Sequence, residues 1–250
     1  MKEFFIPCDG LRMHAKLEMP EGLPAGAKCP LAIVIHGFTG HMEERHILAV
    51  CEATREAGAA TLRVEMYGHG QSDGRFEDHT LYKWVTFALA AADWAKTQDF
   101  VSELYLCGHS QGGLLTMLAG GMKADDFRAL IPLSPAWMIP DGARQGNLLG
   151  ISFDPEHIPE MLVSGDLRLN GNYVRVAQTI HPEDEIARFR GPVLLVQGDR
   201  DDAVPLKYAQ RAAALYSDAQ LVIVPGDTHC YDHHLETVTQ AVKDFLVSLR

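Results

Sequence analysis

Six short apolar runs punctuate the chain at intervals: Leu31–Ile35, Ala60–Val64, Leu104–Cys107, Leu130–Leu133, Val193–Val196 and Leu221–Val224. Each is apolar on both faces and bounded by Gly, Pro or charge, the pattern of strands buried inside a parallel sheet. Between them lie longer stretches with helical spacing, among them Ile47–Ala57, Leu81–Thr97, Leu114–Lys123, Lys207–Tyr216 and Leu235–Leu249. Strand and helix in alternation mean βαβ units, hence an α/β protein with a mostly parallel, doubly wound sheet. The first twenty residues predict two further strands, an antiparallel hairpin turning at Asp9-Gly10. A length of 250 residues fits a single domain of this kind.

The alternation lapses once, between Ser134 and Arg190, where no clear strand–helix pair is visible and Pro, Gly, Asn, Asp and aromatics take over. So long an irregular stretch inside one domain reads as a functional insertion or lid. Composition serves mainly to exclude. The formal net charge of −11 argues against nucleic acid as a partner. No apolar run approaches the roughly 20 residues needed to cross a bilayer. The opening Met1–Pro7 lacks the apolar core of a secretory signal, so a cytoplasmic protein with no membrane partner is expected. Five scattered cysteines without a C-x-x-C pair predict free thiols, Cys29 and Cys107 buried among them. A homodimer is compatible with all of this.

The chemistry concentrates at strand ends. Gly108-His109-Ser110-Gln111-Gly112-Gly113 follows one predicted strand and opens a helix. G-x-S-x-G in that setting is a nucleophile elbow, as in α/β hydrolases: the turn lifts the serine above the sheet and sets it at a helix N-terminus, where partial positive charge favours an anion. A serine hydroxyl needs a base, and in this fold an acid and then a histidine follow in chain order. Asp199, Asp201 and Asp202 all follow the strand at Val193–Val196, and His229 follows the one at Leu221–Val224. These are carboxyl ends of parallel strands, the edge where open α/β sheets keep their sites. His233 and His234 lie further on, as surface or capping residues, and His109 is expected to pack beneath the elbow. His36-Gly37-Phe38-Thr39-Gly40 follows the first parallel strand and would bring the Phe38 N–H to the nucleophile; the Gln111 N–H is the second oxyanion donor. The segment Tyr67–Gly74 reads as a glycine-rich structural turn. No H-E-x-x-H and no Cys/His cluster with ligand spacing occurs, so neither metal nor cofactor is expected.

Over essentially its whole length the chain resembles the cinnamoyl (feruloyl) esterases of gut and rumen bacteria. The residues that carry the resemblance are His36–Gly40, Gly108–Gly113, Asp154-Pro155-Glu156-His157-Ile158-Pro159, Asn172-Tyr173-Val174-Arg175-Val176-Ala177-Gln178 and Gly226-Asp227-Thr228-His229-Cys230. The resemblance implies a small lid over residues 135–188, a small-molecule ester substrate and no cofactor. It also implies a triad of Ser110, His229 and Asp201, the last through the pattern G-x-x-D-x-x-V at Gly198–Val204, with Asp202 as the rival acid. Tyr173, and more loosely Asp141, match lid residues that bond hydroxyls of an aromatic ring. Leu149 stands where some relatives are polar, and Trp137, Met138 and Phe153 are candidates for an apolar slot. A monoacylglycerol lipase, thioesterase or peptidase on the same scaffold is the nearest alternative, and a non-enzymatic binding protein the remote one.

Overall fold

The computed structural model describes residues 1–250. The chain opens on the expected hairpin, β1 (Lys2–Cys8) with β2 (Leu11–Glu18), and its turn residues Asp9 and Gly10 both take positive φ, 49° and 78°. Two positive φ values in a two-residue loop match the right-handed twist of the flanking strands. Then come β3 (Cys29–Ile35), α1 (Arg45–Glu56), β4 (Ala60–Val64), α2 (Leu81–Lys96), β5 (Val101–His109), α3 (Gln111–Met122) and β6 (Ala129–Leu133).

The stretch expected to lack strand–helix pairs is built instead from short regular pieces. These are α4 (Met138–Arg144), the hairpin of β7 (Asn147–Leu148) and β8 (Ile151–Ser152), the hairpin of β9 (Met161–Ser164) and β10 (Leu167–Asn170), α5 (Asn172–Gln178) and α6 (Pro182–Ile186). None exceeds seven residues, whereas periodicity declares itself over windows of about 11–18. The alternation then resumes with β11 (Val193–Gly198), α7 (Lys207–Leu215), β12 (Ala219–Val224) and α8 (Leu235–Ser248).

The main sheet has eight strands in the order β1-β2-β4-β3-β5-β6-β11-β12. From β4 to β12 every pair is parallel, and only β1 and β2 run against their neighbours. Side chains alternate between its faces, as the two-residue strand period requires. On β3, Leu31, Ile33 and Ile35 join the larger core with α2, α3 and the insertion, while Ala32 and Val34 join the smaller one under α1 and α8. Helix α3 is apolar and buried on every side, as befits a helix enclosed by protein. Removing a fully buried side chain such as Leu118 would cost about 2–5 kcal/mol. The first helix after Ser110 is therefore among the most rigidly held parts of the molecule. Because β3, β5, β6, β11 and β12 run parallel, the loops after β3, β5, β11 and β12 open at one edge of the sheet.

Candidate active site

Ser110 sits between β5 and α3 with φ 58° and ψ −118°. A non-glycine residue there costs roughly 1–3 kcal/mol and persists only where its surroundings over-determine it. They do. The Ser110 N–H donates to the Leu133 carbonyl (2.9 Å), and the Ser110 carbonyl accepts from the N–H groups of Leu114 and Ala136 (both 3.0 Å). The flanking glycines are required by space: a β-carbon on Gly108 would overlap the Gly112 carbonyl, and one on Gly112 would overlap the Ile35 carbonyl. Ser110 lines a cleft of about 200 Å³ together with Phe38, Glu44, His229 and Cys230.

The loop after β11 supplies the carboxylate that meets His229. Asp201 Oδ2 lies 2.8 Å from His229 Nδ1, and its side chain is fully buried. It also accepts from Gln197 Nε2 (2.6 Å) and from the N–H groups of Ala203 (3.0 Å) and Val204 (2.7 Å). An acceptor so placed holds the imidazole with its proton on Nδ1, leaving Nε2 as a lone pair. Of the three carboxylates in this loop, only Asp201 reaches the ring: Asp202 is exposed, and Asp199 accepts the Gly226 N–H (2.6 Å).

Two buried groups fix the histidine loop itself. Asp227 accepts the N–H groups of Thr228 (2.8 Å), His233 (3.1 Å) and His234 (2.9 Å). Burial alone would raise its pKa, but these three donors outweigh that and lower it. Beneath the elbow, His109 Nε2 donates to the His229 carbonyl (2.8 Å), and its Nδ1 accepts from His46 Nε2 (3.1 Å). Burial drives the pKa of His109 well down and that of His46 to about 4, so both rings are neutral. Gln197 and His46 carry no motif in the sequence; Asp227 stands in the segment Gly226–Cys230, which assigns it no role of its own. Cys230, beside His229, is pushed up to about 11 by burial and stays a thiol.

Two amides near Ser110 are left unpaired. Neither the Phe38 nor the Gln111 N–H has a backbone acceptor. Both residues are gripped from behind. His69 Nε2 meets the Phe38 carbonyl at 2.5 Å, which gives the glycine-rich turn at Tyr67–Gly74 a structural task. The Tyr173 hydroxyl donates to Gln111 Oε1 at 2.5 Å, and its ring meets that of Phe38 edge-on at 5.5 Å.

A serine on a strained strand–helix turn, a buried Asp–His pair and two free amides at one sheet edge belong to the chemistry of serine hydrolases, and known proteins agree. A family model described as "Serine aminopeptidase, S33" matches residues 27–173, and one described as "TAP-like protein" matches residues 172–250. Est1E from Butyrivibrio proteoclasticus, solved with ferulic acid bound, is 57% identical with a TM-score of 0.96 over 98% of each chain. The chain belongs to the cinnamoyl esterase family of α/β hydrolases. The human protein ABHD12B is more distant, 26% identical over 87% of the chain, which spans 60% of that protein's length. Mouse ABHD10 shares the fold, with a TM-score of 0.80 at 19% identity over 100% of each chain.

For this cinnamoyl esterase family member, the residues expected to read an aromatic ring stand apart from the cleft. Tyr173 is fully buried and its hydroxyl is taken by Gln111. Asp141 is paired with Arg144 (2.7 Å) and Arg211 (3.2 Å). Trp137 is fully buried with the Arg211 guanidinium 4.2 Å above its ring. The physical reason is shared: each side chain is engaged elsewhere in the fold, Tyr173 by a hydrogen bond, Asp141 by two ion pairs and Trp137 by burial under a guanidinium. Of the three candidates for an apolar slot only Met138 lines the cleft, where the insertion also contributes Ala136, Ile139 and Leu149; Phe153, like Trp137, does not line it.

Proposed function

We propose that this protein is a serine esterase that releases hydroxycinnamic acids of the ferulate, coumarate and caffeate type from their esters. Ser110 attacks the ester carbonyl while His229 Nε2 takes its proton, and Asp201 holds the ring and stabilises its positive charge. The Phe38 and Gln111 N–H groups receive the oxyanion. His229 then gives the proton to the departing alcohol, and water releases the acyl group by the same route. The observation that carries the reading is the buried Asp201–His229 pair at 2.8 Å beside a strained Ser110 in one cleft. The choice of acyl group is supported by the 57% identity to Est1E, whose structure holds ferulic acid. Apolar Met138, Ile139 and Leu149 give an aromatic acyl group a wall to pack on. We place the protein in the cytoplasm, a reading supported by five free cysteines, four of them buried. No helix is long and apolar enough to cross a membrane.

The test pairs a fluorophosphonate probe with a substrate panel. The probe should label the protein once, at Ser110; labelling at Cys230 would overturn the nucleophile. Methyl ferulate and methyl p-coumarate should be cleaved with higher kcat/KM than butyrate esters, acyl thioesters or aminoacyl amides. A preference for the thioester or amide would move the protein to another acyl hydrolase.

A further inference from the structure

The cleft has two unlike walls. One is apolar and comes from the insertion and the loop after β11: Ala136, Met138, Ile139, Leu149, Ala203 and Val204. The other comes from the loops after β3 and β12 and includes Thr39, Glu44 and Cys230. A hydrogen bond from Arg45 Nη2 to the Tyr231 carbonyl (2.9 Å) ties these two loops into one surface.

Glu44 is the unusual member. Its neighbour Glu43 is bonded to Lys16 (2.8 Å) and Arg63 (3.0 Å), and the Arg45 guanidinium points at Tyr231 and Asp232. Glu44 has no Lys or Arg partner. Its Oε2 accepts the His41 N–H (3.3 Å) and stands 3.9 Å from His46 Nε2, whose proton goes to His109. Its Oε1 has no partner in the protein. The carboxylate packs against Gly40, where any β-carbon would collide with it. Partial burial raises its pKa, and His229 is among the charges that act on it. A half-buried, unpaired carboxylate beside a reacting centre is costly unless something else satisfies it.

A bound ester has to place its carbonyl oxygen at the two free amides and its alcohol oxygen beside His229, which returns the proton. An apolar acyl group belongs on the apolar wall, and the alcohol half is then left to the wall that carries Glu44. Resting on the esterase reading above, we infer that Glu44 is a specificity residue for the alcohol half of the substrate. Its free carboxylate oxygen accepts hydrogen bonds from a polyhydroxy, sugar-like alcohol and repels an alcohol that carries its own negative charge.

The experiment uses a series of esters. Ferulate and butyrate are each joined to methanol, to arabinose and to the hydroxyl of quinic acid, which is anionic. kcat/KM is measured at pH 7.5 for the wild type, Glu44→Gln and Glu44→Ala. The readout is the ratio to the methyl ester within each protein, so that any general loss cancels. Two like charges about 6 Å apart correspond to an effect on the ratio of about threefold in a water-like dielectric, rising to about a hundredfold at the lower dielectric of a protein surface. The quinate-to-methyl ratio should rise by a factor in that range in Glu44→Gln, in both acyl series. The arabinose-to-methyl ratio should fall severalfold in Glu44→Ala. In the unmodified protein, added salt should raise the quinate ratio, because screening weakens the repulsion; this arm needs no variant to fold. Ratios unmoved by substitution and by salt would overturn the proposal. Failure of the hydroxycinnamate reading looks different: ferulate would lose its advantage over butyrate while the alcohol ratios still responded to Glu44.

Discussion

Along the sheet edge, each reactive group leaves its strand within a few residues and is locked by backbone hydrogen bonds: Ser110 by Leu133, Leu114 and Ala136, Asp201 by Ala203 and Val204, the His229 loop through Asp227. In the insertion between β6 and β11, side chains are locked by other side chains. Tyr173 is held by Gln111, Asp141 by two arginines, and Trp137 lies under Arg211. The first kind of construction places an atom by the course of the chain, so it tolerates change in neighbouring side chains. The second depends on several distant residues at once. The groups proposed for the reaction are built in the first way and the insertion in the second, which lets one be held fixed while the other varies.

The largest effects should come from the backbone-fixed set. Ser110→Ala should remove nearly all hydrolysis and leave the fold intact, with only the residual rate that binding and oxyanion donors supply. Retained activity would break the comparison at its root. Asp201→Asn should lower kcat on the ~10⁴ scale seen when a triad acid is neutralised. Asp202→Asn should be mild, since that carboxylate is exposed. Asp199→Asn should fall between, because it weakens the bond to the Gly226 N–H without touching the ring. A severe Asp202→Asn would mean that the loop presents a different acid in solution.

The same division decides what could be read before folding. Strand runs, the G-x-S-x-G turn and a histidine after a strand-end Pro-Gly are local patterns, and β4, β6 and the Asp9-Gly10 turn emerge within a residue of expectation. Family pattern was needed to choose among Asp199, Asp201 and Asp202, because loop chemistry alone favours none of them. Gln197 carries no pattern, and Asp227 shows only as a member of the Gly226–Cys230 segment: the bonds of Gln197 to Asp201 and Val204, and of Asp227 to the His229 loop, exist only once the loops after β11 and β12 are folded. The insertion was legible as an interruption and not as structure, since its elements are too short for a period to show. Tyr173 and Asp141 could be matched to lid positions, but the sequence does not say that Gln111 and Arg211 claim them.

Acid should separate the two regions next. His36, His46, His79 and His109 are buried around the sheet-edge loops, whereas the insertion's His157 and His181 are exposed. Burial depresses His46 to about 4 and His36 and His79 to about 3, against about 6.5 for the unfolded chain. Below pH 6.5 the unfolded state therefore binds protons that the folded state refuses. Stability should be fully present above that pH and fall as pH drops towards 4, by up to about 1.4 kcal/mol per pH unit for each histidine that stays neutral. Thermal unfolding followed from pH 7.5 to 5 should show Tm dropping progressively below pH 6.5. Amide exchange should rise first around the loops after β3, β5 and β12. A flat Tm, or exchange that rises first in the insertion, would show that these rings are not held neutral.

The smallest effect is the one that joins the two regions, and it turns on the Tyr173 hydroxyl. If that hydroxyl serves a ring on the substrate, Tyr173→Phe weakens only hydroxylated cinnamates. In the structure it donates to the side-chain oxygen of Gln111, whose own N–H is the proposed second oxyanion donor, and the Gln111 Nε2 has no partner. Removing the hydroxyl leaves the buried amide oxygen unsatisfied, at about 1–3 kcal/mol. For a chain of this size that lowers Tm by about 2–4 °C per kcal/mol. Gln111 then gains freedom at the start of α3, and oxyanion stabilisation declines for every ester alike. A neutral hydrogen bond contributes roughly 0.5–1.5 kcal/mol net, so kcat/KM should fall about two- to twelvefold. The loss should sit in kcat, and the ratio of methyl ferulate to methyl butyrate should stay within about twofold of the wild type. A loss confined to ferulate, with kcat on butyrate and Tm both unmoved, would put the hydroxyl on the substrate. The insertion would then read the acyl ring directly rather than steady the oxyanion donors.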